Sequence, residues 1–325
     1  MNASTRPVVV VGAGSVGSFF GAMLARAGHP VVLVGRPAHV EAIRRDGLKL
    51  QMQGELHSVA IAATTELEAV RDAGWVLFCV KSRDTQQLAR RMAPLLAPDA
   101  LVLSLQNGVE NPAVLARHLR QPVIAAAVYV ATALPEPGVV RHFGRGELVI
   151  GPADAASARS PGLAQRLQDL VERFASAQVP VTVSERVLDE LWGKLLVNCA
   201  YNAISALTRQ PYGRMVGLAS IRALQDAVVR EVLEVAHACG HHLDETRARA
   251  SVEQIGRSMP GQLSSTAQDL AAGKPTEIDD LNGLIVRRGA ELGIATPANQ
   301  ALYALVRLAQ GEQDGADGIS APPVR

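Results

Sequence analysis

Aromatic side chains are scarce in this sequence, with five Phe, four Tyr and two Trp among 325 residues. That scarcity argues against the stacking platforms on which single-stranded nucleic acids lie. An excess of charge is missing as well, since 32 basic side chains face 31 acidic ones for a formal net charge of +1. No phosphate-neutralising surface and no acidic tail is expected from that balance. Cysteine is limited to Cys79, Cys199 and Cys239, odd in number and without a CxxC pair. A disulfide framework or a zinc site does not fit that pattern, whereas a reducing cytoplasm does. His237 and His241 stand four apart with His242 adjacent, but Gly240 interrupts the helix between them. No glutamate completes an HExxH pattern, so no metal is expected. A membrane-crossing run is also lacking. The nearest approach is Val8 to Ala25, eighteen uncharged residues with glycines at 12, 14, 17 and 21. It reads as a strand, a tight turn and a buried helix rather than a signal peptide or span. The sequence therefore predicts a soluble, cytoplasmic protein without nucleic-acid or membrane partners.

What is present is ample apolar material, 48% of residues against 19% charged. At roughly 150 residues per domain, the length points to about two domains with large cores. In the first half, short β-branched runs alternate with helical stretches. Pro7–Val11 is a continuous apolar strand of the kind covered on both faces, and a helix over 15–27 stops at Gly28. Further strands are predicted at 31–34, 75–80, 101–104 and 123–128, which gives βαβ units and a parallel sheet. Segments 139–143 and 147–150 read as a hairpin around Gly144-Arg145-Gly146; a helix over 163–177 and a strand over 179–183 follow. Beyond residue 184 the texture becomes helical, with periodic stretches at 188–207, 221–238, 264–272 and 277–292. The expected fold class is α/β: an N-terminal domain of βαβ units, 1–183, and a C-terminal all-helical domain, 184–325. Residues 311–325 lack periodicity and read as a frayed tail.

Gly12-Ala13-Gly14-Ser15-Val16-Gly17 is GxGxxG placed between a strand and a helix. Its first glycine permits the tight turn, its second the approach of a pyrophosphate, and its third close helix–strand packing. In NAD enzymes an acidic residue about 20 positions beyond holds the ribose hydroxyls. Here the second strand leads instead into Arg36, whose guanidinium suits a 2′-phosphate. NADP is the expected cofactor. Lys81 and Asn107 follow the 75–80 and 101–104 strands, at the carboxyl ends where ligands bind in such sheets. Lys81 suits cofactor phosphate or ribose, Asn107 the nicotinamide end; each could equally satisfy its own turn.

In the helical half, Lys194, Asn198 and Asn202 recur at i, i+4 and i+8 amid Leu195, Leu196, Val197, Ile204 and Leu207. One helix face thus carries an ammonium and two amides. Such a stripe on an otherwise buried helix is costly unless it faces a polar cavity; a lysine snorkelling to solvent beside two surface amides is the plainer alternative. Thr276 is a candidate N-cap with Asp279 as reciprocal partner, which places Glu277 in a first helical turn. Trp192 and Tyr201 read as packing residues.

GAGSVG, CVKS, LQNG, LWGKLLVNCAYN and PTEIDDLNG, in this order and at these spacings, resemble the ketopantoate reductases (2-dehydropantoate 2-reductases) over residues 7–308. The resemblance implies a Rossmann-type N-domain, a helical C-domain, and an active site in the cleft between them. It also implies NADPH-dependent reduction of ketopantoate to pantoate in pantothenate synthesis. Carried over by motif, Lys194 is the general acid, and Glu277 holds and orients the substrate and stands among the cofactor contacts. Asn198 and Asn202 bind substrate oxygens, Ser265 contacts the substrate carboxylate, and Asn107 lies beside the nicotinamide. Gly12, Ala13, Gly14, Ser15, Val16, Gly17, Arg36 and Lys81 hold the cofactor. Gln262 and Tyr212 depart from the pattern where some members carry Asn, toward the substrate's far end. A paralogue acting on another branched 2-oxo acid, or a non-catalytic NADPH sensor, is the alternative. A small-molecule 2-oxo acid is the expected partner, and a homodimer through the helical domain is compatible with the sequence.

Overall fold

The computed structural model describes residues 6–311. The predicted tail therefore lies, beyond Gly311, outside the described residues. The chain divides into two compact units, residues 1–191 and 192–325.

The first unit is built on a ten-stranded sheet. In chain order it contains β1 (Val8–Val11), α1 (Ser15–Arg26), β2 (Val31–Val34), α2 (Pro37–Asp46), β3 (Leu48–Met52), β4 (Glu55–Val59) and β5 (Ala62–Thr64). There follow β6 (Trp75–Phe78), α3 (Thr85–Met92), β7 (Leu101–Ser104), α4 (Asn111–His118), β8 (Val123–Glu136), β9 (Val139–Pro152), α5 (Ala155–Ala158), α6 (Leu163–Ser176) and β10 (Val181–Val183). The strands lie in the order β4-β3-β9-β8-β7-β6-β1-β2-β5, with β10 paired to β9. From β8 to β5 all neighbours are parallel. These strands are short apolar runs because both faces are covered. Alternation decides which core each side chain joins: Val8, Val10, Leu33, Leu77 and Leu103 meet α1 and α6 through Phe20, Leu24, Leu170 and Phe174. Val9, Val11, Val76, Phe78 and Val102 turn to the other face, against Val70, Met92 and Leu115.

The sheet is mixed rather than wholly parallel. β9 runs antiparallel to β8 through most of both strands, and the chain reverses at Pro137-Gly138, where Gly138 has φ 81°. The hairpin predicted around Gly144-Arg145-Gly146 is thus corrected. Those residues lie inside β9, where shifts of register between Tyr129 and Val130 and between Ala131 and Thr132 absorb extra residues as bulges. Glycine and a positive-φ Arg145 signal a bulge as readily as a turn.

Helix α7 (Val187–Thr208) contains the division between the units. The second unit continues with α8 (Tyr212–Val216), α9 (Ala219–Ala238), α10 (Glu245–Ser258), α11 (Ser265–Ala271), α12 (Asn282–Leu292) and α13 (Pro297–Ala309). Its core gathers Leu195, Leu196, Tyr201 and Ile204 of α7 with Val228, Val232, Leu284, Ile285 and Val306. The helix predicted over 277–292 is shorter than expected. Ile278–Asp280 is a 3-10 turn, Leu281 leaves helical geometry at φ −110°, ψ −107°, and α12 starts at Asn282. Among the described residues no helix is long and apolar enough to cross a membrane.

A buried polar chain ties this unit together. The Glu231 carboxylate accepts from the backbone N–H groups of Ala298 (2.8 Å) and Asn299 (2.9 Å) and from Asn299 Nδ2 (2.7 Å). Asn299 Oδ1 in turn accepts from Asn282 Nδ2 (2.9 Å), which also donates to the Cys199 carbonyl (3.2 Å). Glu231 therefore caps α13 and, through two amides, anchors α12 to α7. Removing it strands three donors, the two on Asn299 buried and costing about 1–3 kcal/mol each. Glu231→Ala is expected to lower unfolding free energy by at least about 2 kcal/mol in urea titration.

Candidate active site

The candidate residues form two sets, one within each unit. In the first unit, the glycine-rich turn is shaped by close backbone approach. Gly12 has φ 102°, and a Cβ there would lie 2.8 Å from the Cys79 carbonyl carbon and the Val80 nitrogen. A Cβ on Gly17 would strike the Gly12 carbonyl oxygen, whereas one on Gly14 would meet nothing within 4 Å. The turn is pinned to β2 by Gly12 and Ala13, whose N–H groups both donate to Val34 O at 3.0 Å. Helix α1 then starts at Ser15 without a side-chain cap and without an acidic residue in its first turn. Its positive end and the open side at Gly14 fit the pyrophosphate of a dinucleotide. Ser15 and Val16 are half-buried in the first turn of α1, and Arg36 is exposed at the N-cap of α2. A guanidinium there, with no acidic residue in the first turn of α2, suits a 2′-phosphate.

Lys81 and Asn107 sit half-buried just past β6 and β7. A buried amide network, invisible in the sequence alone, holds both loops. Gln106 Nε2 donates to Val80 O (3.0 Å) and Thr85 Oγ1 (2.7 Å), and its Oε1 accepts from Ser104 Oγ (3.1 Å). Asn111 Oδ1 accepts from Thr85 Oγ1 (2.9 Å), while Asn111 Nδ2 donates to Ser82 Oγ (2.8 Å) and Asn107 O (2.7 Å). Gln106 and Asn111 each serve both loops, so the position of Lys81 is coupled to that of Asn107. The one sequence signal for this network is the clustering of short polar residues directly after two apolar strands.

In the second unit, Lys194 and Asn198 are half-buried on α7 and Asn202 is 4% exposed. Leu195, Leu196, Cys199, Ala200, Tyr201 and Ile204 around them are buried. Asn202 at least is no surface amide. Among the described residues, neither the Asn198 nor the Asn202 side chain makes a hydrogen bond. Ser264 caps α11 by accepting from Ala267 N–H (3.0 Å), and its hydroxyl donates to Asn202 O (3.1 Å). Ser265, the next residue, is thereby carried exposed at the start of α11, tied to α7 at Asn202.

Glu277 is half-buried, one residue before the 3-10 turn. Thr276 does not cap an α-helix with Asp279 as expected. Its hydroxyl accepts from Ile278 N–H (3.3 Å), while Asp279 Oδ1 accepts from the Tyr303 hydroxyl (2.7 Å). The Glu277 turn leads directly into Asn282, whose amide reaches Cys199 on α7. Both loops thus attach to α7 within the Lys194–Asn202 stretch.

Tyr212 and Gln262 are brought together: Tyr212 N–H donates to Gln262 O at 3.0 Å. The Tyr212 ring lies 4.7 Å from that of Tyr201, and burial pushes its hydroxyl above the ordinary tyrosine range. Tyr201 is buried and donates to Val252 O (2.7 Å), and Trp192 is buried 5.3 Å from His241. Among the described residues no three His, Cys, Asp or Glu side chains are grouped to hold a metal ion.

Comparison with known proteins covers nearly the whole chain. Residues 8–155 match the family model described as ketopantoate reductase PanE/ApbA, and residues 186–310 match its C-terminal counterpart. The 2-dehydropantoate 2-reductase of Halobacterium salinarum is 35% identical over 306 residues, 93% of this chain and 98% of the relative. That of Vibrio cholerae is 30% identical, covering 92% of this chain and 96% of the relative. A PanE/ApbA family ketopantoate reductase from Ralstonia eutropha JMP134 superposes with a TM-score of 0.85 at 51% identity, covering 94% of this chain and 98% of the other. A D-mandelate dehydrogenase bound to NADH and anilino(oxo)acetate shares the fold at 22% identity, with TM-score 0.87 and coverage of 94% and 98%.

Asn111→Ala removes three hydrogen bonds from the amide network and is expected to destabilise the first unit by about 2–4 kcal/mol. Amide hydrogen exchange should accelerate at 81–84 and 105–110 while β1 stays protected. Unchanged exchange in those loops would show that Asn111 does not hold them.

Proposed function

The chain belongs to the ketopantoate reductase family, and on that premise we propose that it reduces 2-dehydropantoate to pantoate with NADPH, in the cytoplasm, as a step of pantothenate formation. The observation that carries the reading is the stripe on α7: a lysine and two amides held on a helix whose other faces are buried. NADPH, when bound through the glycine-rich turn and Arg36, supplies a hydride for the ketone carbon. The chain's own residues do the rest. As the carbonyl is reduced, negative charge grows on its oxygen, and the Lys194 ammonium stabilises that charge and delivers the proton, an effect of about 10²–10⁴-fold. The amides of Asn198 and Asn202 donate to substrate oxygens, Ser265 to the carboxylate, and Glu277 and Asn107 fix the orientation of substrate and nicotinamide. Holding the ketone in one geometry is itself a large contribution, because it replaces a bimolecular search by a positioned encounter.

A second reading, reduction of a different branched 2-oxo acid by the same chemistry, is favoured by the Tyr212–Gln262 pair. An aromatic ring near the substrate's far end would alter the fit of a branched chain more than the reaction at the carbonyl. The test is the rate of NADPH oxidation with ketopantoate beside a panel of 2-oxo acids, repeated with NADH. The expected outcome is the highest kcat/KM for ketopantoate and a clear preference for NADPH. A different acid in front would transfer the proposal to the second reading. Cofactor binding without turnover on any oxo acid would contradict both.

A further inference from the structure

The first unit contains a buried histidine that the proposed chemistry does not use. His39, 6% exposed, lies in the first turn of α2, and its backbone N–H donates to Arg36 O at 3.1 Å. Its ring is held on two sides. The Gly138 N–H points at Nδ1 from the β8–β9 turn at 2.8 Å, and the Ser18 hydroxyl of α1 meets Nε2 at 3.1 Å. A backbone N–H can only donate, so Nδ1 must be the unprotonated, accepting nitrogen. The neutral ring then carries its proton on Nε2 and donates it to Ser18 Oγ. Burial also holds His39 below the usual histidine range, which favours that neutral form. Ser18, having accepted, turns its own proton to the Ala13 carbonyl at 3.2 Å. The direction of every bond in the relay is thereby determined: Gly138 to His39, His39 to Ser18, Ser18 to Ala13.

The bond between His39 and Ser18 joins the two parts of the proposed cofactor cradle. Ala13 lies inside the glycine-rich turn, and Arg36 opens the helix on which His39 sits. The same parts already touch through the backbone, since a Cβ on Gly35 would come 2.9 Å from the Ala13 side chain. Val40 and Ile43 bury one side of α2 in the core, and the directional bond from His39 to Ser18 adds a fixed angle at the end of α2 that carries Arg36.

We propose that His39, acting through Ser18, is a positioning residue for cofactor discrimination, fixing Arg36 against the glycine-rich turn so that a 2′-phosphate is read. The inference rests on the assignment of Arg36 to that phosphate. It concerns binding of the dinucleotide and not the reduction step.

Two substitutions separate the two bonds of the ring. The amide oxygen of asparagine stands near the place of histidine Nδ1, and the amide nitrogen of glutamine near that of Nε2. His39→Asn therefore keeps an acceptor for Gly138 and loses Ser18, whereas His39→Gln keeps a donor for Ser18. Dissociation constants for NADPH and NADH are measured by fluorescence titration, with hydrogen exchange of residues 36–40 in the nucleotide-free protein. His39→Asn and Ser18→Ala should each weaken NADPH about tenfold, one lost hydrogen bond's worth, and NADH by less than about threefold. Both should also speed exchange at 36–40, and His39→Gln should restore NADPH binding to within about threefold of the parent.

Equal weakening of both nucleotides, or a lowered Tm with unchanged dissociation constants, would overturn the proposal and leave His39 a packing residue. So would His39→Gln behaving like His39→Asn. Arg36→Ala tells the two failures apart. If it narrows the NADPH-to-NADH ratio while the His39 and Ser18 variants do not, the positioning role alone falls. If it leaves the ratio unchanged, the Arg36 assignment falls and the proposal with it.

Discussion

Helix α7 works under a conflict between burial and polarity, and much of the second unit follows from how that conflict is resolved. Leu195, Leu196, Cys199, Ala200, Tyr201, Ala203 and Ile204 are all buried, so the helix is enclosed on most of its circumference. The same helix carries Lys194, Asn198 and Asn202. Polar groups in such surroundings cost free energy unless something polar meets them. Main-chain carbonyls along that stretch are used as anchors: Cys199 O receives Asn282, and Asn202 O receives Ser264. The segments bearing Glu277 and Ser265 are tied to α7 by those two bonds. A helix that must be buried for stability is therefore also the reference against which the loops of Glu277 and Ser265 are set.

The first unit meets a different constraint, that of backbone approach. The turn between β1 and α1 passes so near the end of β6 that Gly12 has no room for a side chain, while Gly14 stays open. Around this turn, side-chain amides and hydroxyls fix what the backbone leaves loose. Gln106 and Asn111 hold the loops of Lys81 and Asn107, and Ser18 and His39 link the turn to α2. The groups proposed to contact ligand and the groups that hold their loops are chemically alike, but the holding groups are buried and paired.

The parallel strands were legible in the sequence because short β-branched runs bounded by turn residues favour strands covered on both faces. β2 and β7 coincide with the predicted 31–34 and 101–104. The bulged β9 was not legible, since glycine marks a turn and a bulge alike and only pairing with β8 distinguishes them. Helix α10 escaped because it buries only Ala248, Val252 and Gly256, too small a stripe to register as periodic. The break at Leu281 depends on tertiary bonds made by Asn282 and could not be read locally. At the candidate site, spacing revealed the lysine–amide stripe, and motif resemblance supplied the roles proposed for Glu277 and Ser265. Thr85, Gln106, Asn111, Glu231 and Asn299 stayed hidden. A polar residue that is buried and paired looks, in sequence, like one that is exposed.

The central claim is our proposal that Lys194 of α7 is the general acid of the reduction and takes no part in holding the dinucleotide. It is tested most directly by Lys194→Ala, with NADPH affinity and turnover measured on the same preparation. The expected result is an NADPH dissociation constant within about twofold of the parent and turnover lowered by about a hundredfold or more, the lower end of what a general acid contributes. Near-normal turnover, or NADPH affinity lost in step with turnover, would contradict it.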